Sequence, residues 1–295
     1  MSSHSARLAA LREQLARQRL DGFVVPLTDE HMSEYVGAYA QRLAWLTGFQ
    51  GSAGTAVVLP QEAAIFTDGR YTLQVREQVD GGDWQFVGVP ETSVAQWLEH
   101  HAADGARIGY DPWLHTRAWV DEASAALAKV GATLVPVDTN PIDAIWPDRP
   151  APSDATLSVH GDAVAGRSSA DKRAAVADWL AEQNADAVVL AALDSIAWLL
   201  NVRGADVART PVALAYTIVN ADGTADLFVS REKMTDAVRQ HLGNAVRVHD
   251  RAAFAPALGG FAGKRVAVDP SLSVAAIPLA IEAGGGTILD RKSVV

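Results

Sequence analysis

The sequence predicts an α/β protein made of two similar domains in tandem, each a mixed β-sheet flanked by helices. Three observations lead there. The 295 residues are enough for two domains at roughly 150 residues each. Hydrophobic residues make up 49% and charged residues 20%, which supplies apolar material for two cores. Most tellingly, landmarks of the first half recur in the same order in the second, as duplication requires.

Ser5 is placed to cap a helix that carries Leu8, Leu11 and Leu15 on one face at helical spacing. That helix ends near Leu20-Asp21-Gly22 and leads into a buried strand, Phe23-Val24-Val25. Ser169 is placed to cap the equivalent helix, with Val176 and Leu180 inward, before the strand at residues 186–190. Each copy then has a matching segment, Ala44-Trp45-Leu46-Thr47-Gly48-Phe49 and Ala197-Trp198-Leu199-Leu200-Asn201-Val202. A glycine-containing loop and a strand follow, at residues 55–59 and 214–219. Turns at Pro60-Gln61-Glu62 and Asn220-Ala221-Asp222-Gly223 close hairpins onto second strands at residues 64–67 and 226–229. Helices come next, with Leu73, Val75 and Val79 in one and Met234, Val238 and Leu242 in the other. Arg107-Ile108-Gly109-Tyr110-Asp111-Pro112 answers to Arg265-Val266-Ala267-Val268-Asp269-Pro270, a strand ending at Asp-Pro where a helix begins. Final strands are expected at residues 133–137 and 287–289.

Between the copies, Pro141, Pro147, Pro150 and Pro152 predict a stiff, non-helical connector, with Trp146 packed against a domain. The expected division is residues 1–150 and 151–295.

Net charge is −10, which argues against nucleic-acid and anionic-membrane partners. The absence of cysteine excludes disulfides and thiolate metal sites. Residues 1–20 have no continuous apolar stretch and carry Arg7, Arg12, Glu13 and Arg17, so neither a signal peptide nor a membrane span is expected and a cytoplasmic location is.

Few segments invite a chemical reading. Gly48-Phe49-Gln50-Gly51-Ser52-Ala53-Gly54 looks like a phosphate cradle, but such a loop must open onto a helix N-terminus and this one opens onto a strand. A structural strand-to-strand turn fits it better. In Asp68-Gly69-Arg70-Tyr71, Asp68 suits an N-cap and Arg70 a local ion pair. His100 and His101 are read as a solvated helix face, and His115 as a surface residue. No His-Glu-x-x-His pattern and no Gly-x-Ser-x-Gly elbow occurs. The segment at residues 194–206 stands apart: apolar Ile196, Trp198, Leu199 and Leu200 predict a buried stretch, after which Asn201, Arg203 and Asp206 emerge on a loop with Gly204. Two readings are open there, a binding loop or a turn held by an Arg-Asp pair.

The motifs Glu30-His31-Met32-Ser33-Glu34-Tyr35, residues 46–56 and Phe66-Thr67-Asp68-Gly69-Arg70-Tyr71 resemble the first domain of three-domain aminopeptidase P. Ile145-Trp146-Pro147-Asp148-Arg149-Pro150 is similar to that family's linker, and residues 193–207 to its second domain. The resemblance covers essentially the whole chain. It implies two creatinase N-terminal-like domains, followed in the complete enzyme by a pita-bread metallopeptidase domain. That third domain would hold two Mn²⁺ ions on two Asp, one His and two Glu, and would form most of a homodimer interface. The ions would activate a water against an Xaa-Pro bond. The sequence reaches residues 290–295 about where that domain would begin.

The resulting expectation is a non-catalytic N-terminal region, without catalytic residues or metal ligands of its own. Its partners would be the catalytic domain in cis and proline-containing peptides. Asn201, Arg203 and Asp206 are its substrate- or interface-facing candidates. The alternative is a stand-alone binding or interaction module of the same fold. An unrelated small-molecule enzyme fits less well, because no acid, base or nucleophile constellation is evident.

Overall fold

The computed structural model describes residues 3–290. Residues 1–2 and 291–295, including the end of the chain on which the reading of a following domain draws, lie outside the described residues. The chain divides into two compact units, residues 1–29 with 38–151, and residues 30–37 with 152–295.

The first unit is built on a six-stranded mixed sheet. Its strands are β1 (Gly22–Pro26), β2 (Thr55–Val58), β3 (Ala63–Asp68), β4 (Gln85–Val89), β5 (Arg107–Tyr110) and β6 (Thr133–Pro136), in the order β4-β3-β2-β1-β5-β6. Strands β1, β2 and β3 run antiparallel in turn, and the β3–β4, β1–β5 and β5–β6 pairs are parallel. Side chains alternate across the sheet. Phe23, Val25, Ala56, Val58 and Ile65 meet Leu8, Leu11 and Leu15 on one face. Val24, Val57, Ala64, Phe66 and Ile108 meet Trp97, Leu98 and Leu127 on the other. Both faces are therefore covered, which explains why β1 is an unbroken apolar run rather than an alternating one. Each buried leucine of the first helix contributes about 1.5–3 kcal/mol.

The second unit repeats the plan. Its main strands are β8 (Ala187–Leu190), β10 (Ala215–Asn220), β11 (Ala225–Val229), β12 (Val246–His249), β13 (Arg265–Val268) and β14 (Thr287–Asp290). Their order, β12-β11-β10-β8-β13-β14, and their directions match those of the first sheet. A separate two-stranded ribbon pairs β7 (Ser158–Val159) with β9 (Val202–Arg203).

One duplicated detail shows how sequence sets register. Asp21 donates its N–H to the Arg107 carbonyl and accepts the Arg107 N–H on its carboxylate, at 2.8 and 2.9 Å. The Arg107 guanidinium then donates to the Arg19 carbonyl. Asp186 and Arg265 make the same reciprocal clamp at 2.8 and 2.7 Å, with Arg265 reaching the Gln183 carbonyl. The landmark Asp and Arg of each copy thus lock the start of one parallel strand to its neighbour.

Several expectations need correction. The first helix (His4–Arg17) is capped by Ser3, whose hydroxyl accepts from the Ala6 N–H, while Ser5 bonds Asp83. The second (Ser169–Glu182) is capped by Ser168. In both places two serines compete for the cap and the earlier one holds it. The connector is not wholly non-helical: Pro141–Ile145 is a short helix, with Pro141 at its first position and Asn140 capping it through the Ile142 N–H. A proline at that position loses no bond the helix would have made. Trp146 does pack, stacked on Trp45 with ring centres 5.2 Å apart.

After the Asp-Pro landmarks the chain first turns, with Asp111 accepting from the Trp113 N–H and Asp269 from the Ser271 N–H. The helices start only at Arg117 and Ala276. Leu73 points outward at 77% exposure, leaving Val75 as the buried residue of its short helix.

His115 is buried, not superficial. It stacks on Trp119 at 4.0 Å, and its Nδ1–H donates to the Asp111 carbonyl at 3.0 Å. Burial outweighs that bond and pushes its pKa down to about 4. His101 is half-buried, stacked on Trp97 and bonded to Glu62.

Candidate functional site

The glycine-rich loop begins as the left-handed cap of a helix. Gly48, at φ +86°, ends Arg42–Thr47, so the loop joins helix to strand rather than strand to strand. A Cβ on Gly51 would stand 2.3 Å from the Phe49 ring, so that glycine permits packing. The loop serves the core and leads into β2, with no helix N-terminus to receive a phosphate. Asp68 caps the turn after β3, and Arg70 pairs with it at 2.7 Å on the surface.

The equivalent left-handed position in the second unit is Asn201, at φ +51°, ending the helix Leu193–Leu200. Asparagine is the residue that substitutes for glycine there at least strain. Its side chain is fully engaged. Oδ1 accepts from the Lys172 ammonium at 2.6 Å, and Nδ2 donates to Asp162 and to the Arg167 carbonyl. Lys172 is itself buried, also donates to the Trp198 carbonyl and lies 4.4 Å from the Trp198 ring centre. Burial, then the nearby Arg203 charge, pushes its pKa down.

Arg203 and Asp206 do not form the Arg-Asp pair considered for this turn. The half-buried Arg203 donates to the Ala197 and Val202 carbonyls at 2.9 and 2.8 Å. Asp206 is buried and pairs with buried Lys233, while its Oδ2 also accepts the Leu214 N–H at 2.7 Å. The loop is thus pinned at both ends by buried polar groups. Trp198, expected inside, is 41% exposed.

The second unit also holds a cleft of about 230 Å³, which none of residues 201–206 lines. One wall is residues 31–35, held by the second unit although they follow β1 in sequence. The opposite walls are residues 192–194, residues 207–212 and Leu272. Asp194 sits in the first turn of the helix Leu193–Leu200, where the helix dipole favours a carboxylate.

The strap at residues 30–37 is fastened by a partly buried cluster. Arg251 pairs with Glu30 at 2.6 Å and reaches His31 Nε2 at 3.0 Å. The His31 Nδ1–H donates to the Ala191 carbonyl at 2.9 Å. Burial alone would raise the Glu30 carboxyl, but His31 and Arg251 outweigh it and hold it at about 2. The His31 ring lies 4.5 Å from that of Tyr216, which stacks on Phe254 at 3.9 Å.

Sequence reasoning singled out the Glu30–Tyr35 motif only as a family resemblance and took it for part of the first domain. The available signal was the density of polar and aromatic residues in Glu30-His31-Met32-Ser33-Glu34-Tyr35 straight after a buried strand, a composition that suits a surface loop. Nothing local says which unit receives it.

Among the described residues, no group of three or more His, Asp or Glu side chains is placed to hold a metal ion. No helix among them is long and apolar enough to cross a membrane.

Comparison with known proteins places this geometry in context. Two family models, both described as Creatinase/Prolidase N-terminal domain, match the chain, one over residues 7–145 and the other over residues 148–295. A probable Xaa-Pro aminopeptidase P of Aspergillus clavatus is 39% identical over 246 residues, 82% of this chain and 37% of that protein. Aminopeptidase P2 of Arabidopsis thaliana is 39% identical over 233 residues, 77% of this chain and 32% of that protein. The crystal structure of an X-prolyl aminopeptidase from Caenorhabditis elegans, a cytosolic enzyme with a di-nuclear active site, matches with a TM-score of 0.93 at 27% identity. That match covers 100% of this chain and 51% of the other. The chain therefore spans well under half the length of these two curated relatives and about half of the solved enzyme.

Proposed function

The chain belongs to the creatinase/prolidase N-terminal domain family, whose domain it carries twice, and from that premise we propose that it is the non-catalytic N-terminal region of a metal-dependent Xaa-Pro aminopeptidase. It shapes substrate access to, or the assembly of, a longer enzyme that removes an N-terminal residue preceding proline. The observation that carries this reading is similarity along the chain combined with partial coverage: the relatives share 77–82% of this chain but extend far beyond the matched part. In this reading a catalytic domain in cis holds two Mn²⁺ ions, which supply an activated water. No step of the reaction is assigned to residues of this chain. The protein is cytoplasmic, and its homodimer forms mainly through the catalytic domain.

Within this role the loop from Asn201 to Asp206 faces the catalytic domain. Asn201 and Asp206 set its course, and Arg203 is the member with exposed surface to offer a carboxylate or carbonyl. In the longer enzyme, Arg203→Ala is expected to lower kcat/KM for an Xaa-Pro peptide more than it lowers thermal stability. Unchanged kinetics would remove Arg203 from the proposal.

The main test is direct. The 295-residue chain with added Mn²⁺ is expected to give no hydrolysis of an Xaa-Pro peptide above a metal-only control, whereas the longer protein cleaves it. Turnover by the chain alone overturns the reading. If the downstream coding sequence lacks a metallopeptidase domain with two Asp, one His and two Glu ligands, the stand-alone binding module is favoured, and the cleft becomes its site.

A further inference from the structure

We propose that the cleft behind the strap binds the free amino end of a peptide whose first side chain is apolar. Its two kinds of lining match the two features of such an end. Met32, Tyr35 and Leu272 provide apolar surface, with Tyr35 61% and Leu272 38% exposed at this one place. Large apolar side chains that remain in water around a concave surface mark binding sites more often than chance. His31, Ser33, Glu34, Asp194 and Thr210 provide the polar part, and no lysine or arginine is among the lining residues. Asp194 supplies a carboxylate to the cleft of a protein already at −10, which favours an ammonium group over a carboxylate.

The volume, about 230 Å³, suits one or two residues and not a long segment. The walls are also held in place before any ligand arrives. The strap is fixed by the Glu30–Arg251 pair and by His31 on the Ala191 carbonyl. The facing loop is fixed by Asp206 on Lys233 and on the Leu214 N–H. A site framed by such pairs loses little conformational freedom on binding. Asp194 is the carboxylate best placed to meet the ammonium. Its Oδ1 accepts the Ser195 N–H at 2.8 Å, which fixes the group at the start of the helix Leu193–Leu200. The proposal rests on reading the chain as part of a peptide-cleaving enzyme. It assigns to this chain a place where peptide amino ends are held.

The test measures binding, not turnover. The probe is Leu-Pro-Gly with a fluorophore on its C-terminus, titrated with the 295-residue chain and followed by anisotropy. Saturable binding is expected, and acetylating the probe's amino end is expected to weaken it about ten-fold, the value of one charge-assisted hydrogen bond. Asp194→Asn keeps the acceptor for Ser195 and should bring a similar loss. Leu272→Ala is the independent variant, expected to weaken both probes equally. Circular dichroism melts confirm that each variant folds. Equal binding of the acetylated probe, or no saturable binding by the wild-type chain, overturns the proposal. So does equally tight binding of an acetylated probe that carries an internal lysine, which would make the occupant a basic side chain. Failure of the longer protein to cleave Xaa-Pro peptides would sink the enzymatic reading alone, because these titrations do not depend on it.

Discussion

The buried imidazole of His115 makes the first unit sensitive to mild acid, by an amount that follows from its surroundings. His115 lies against Trp119 and Tyr110, donates from Nδ1 to the Asp111 carbonyl, and its Nε2 faces no protein donor or acceptor. Its pKa is about 4 in the folded protein against 6.5 when free. A histidine with a depressed pKa binds its proton more readily in the unfolded chain. Stability is therefore intact above pH 6.5 and is lost as the pH falls toward 4. Each pKa unit is worth about 1.4 kcal/mol, so the loss is about 2 kcal/mol between pH 7.5 and pH 5 and about 3 kcal/mol once both forms are protonated.

His115→Phe keeps the ring stack and removes the titration. It should cost about 1 kcal/mol at pH 7.5 for the lost hydrogen bond. Its stability should then fall about 2 kcal/mol less than the wild type's on going to pH 5. Asp111, next to it, is pushed upward by burial against the opposing Asn140 bond, but this acts in both proteins and cancels in the difference. The assay is urea unfolding followed by tryptophan fluorescence. Trp45, Trp84, Trp97, Trp113, Trp119 and Trp146 belong to the first unit and only Trp179 and Trp198 to the second, so the signal reports chiefly on the first. Parallel pH profiles for the two proteins would refute the reasoning.

Two further substitutions probe the second unit. Glu30→Gln removes the carboxylate held at about 2, whose contribution is present above pH 4.5 and lost as the pH falls toward 2; the expected cost at neutral pH is about 3 kcal/mol, with faster hydrogen exchange along residues 31–36, and unchanged exchange there would mean that the pair does not fasten the strap. Lys233→Met leaves Asp206 buried without its countercharge and is expected to cost about 3–5 kcal/mol, whereas the double change Lys233→Met with Asp206→Leu should recover part of it; a single variant as stable as the wild type in urea would show that the pair is dispensable.

The amino-acid sequence determined the repeated α/β plan. Apolar runs at Phe23-Val24-Val25 and residues 187–190, hairpin turns, and the Asp-Pro landmarks are local patterns, and five of the six strands in each sheet follow them, while the edge strands β4 and β12 are not anticipated. Local patterns succeed there because strand and helix periodicity records which face is buried. They place caps less well, since at Ser3 against Ser5 and Ser168 against Ser169 neighbouring residues can do the same work. The family was legible in the combination of motifs, and the domain matches over residues 7–145 and 148–295 bear it out. Only the tertiary structure decided the fates of the polar residues. His115 looks like a surface histidine until the helix that follows it, Arg117–Ala128, lays Trp119 against it. Asp206 looks like a partner for Arg203 until Lys233, 27 positions away, takes it. The strap at residues 30–37 reads as a loop of the first copy until Arg251 and Ala191 of the second hold it. For Asp206 and the strap the deciding partner is distant in sequence, and a lone charge or ring carries no record of which distant group will pay its desolvation.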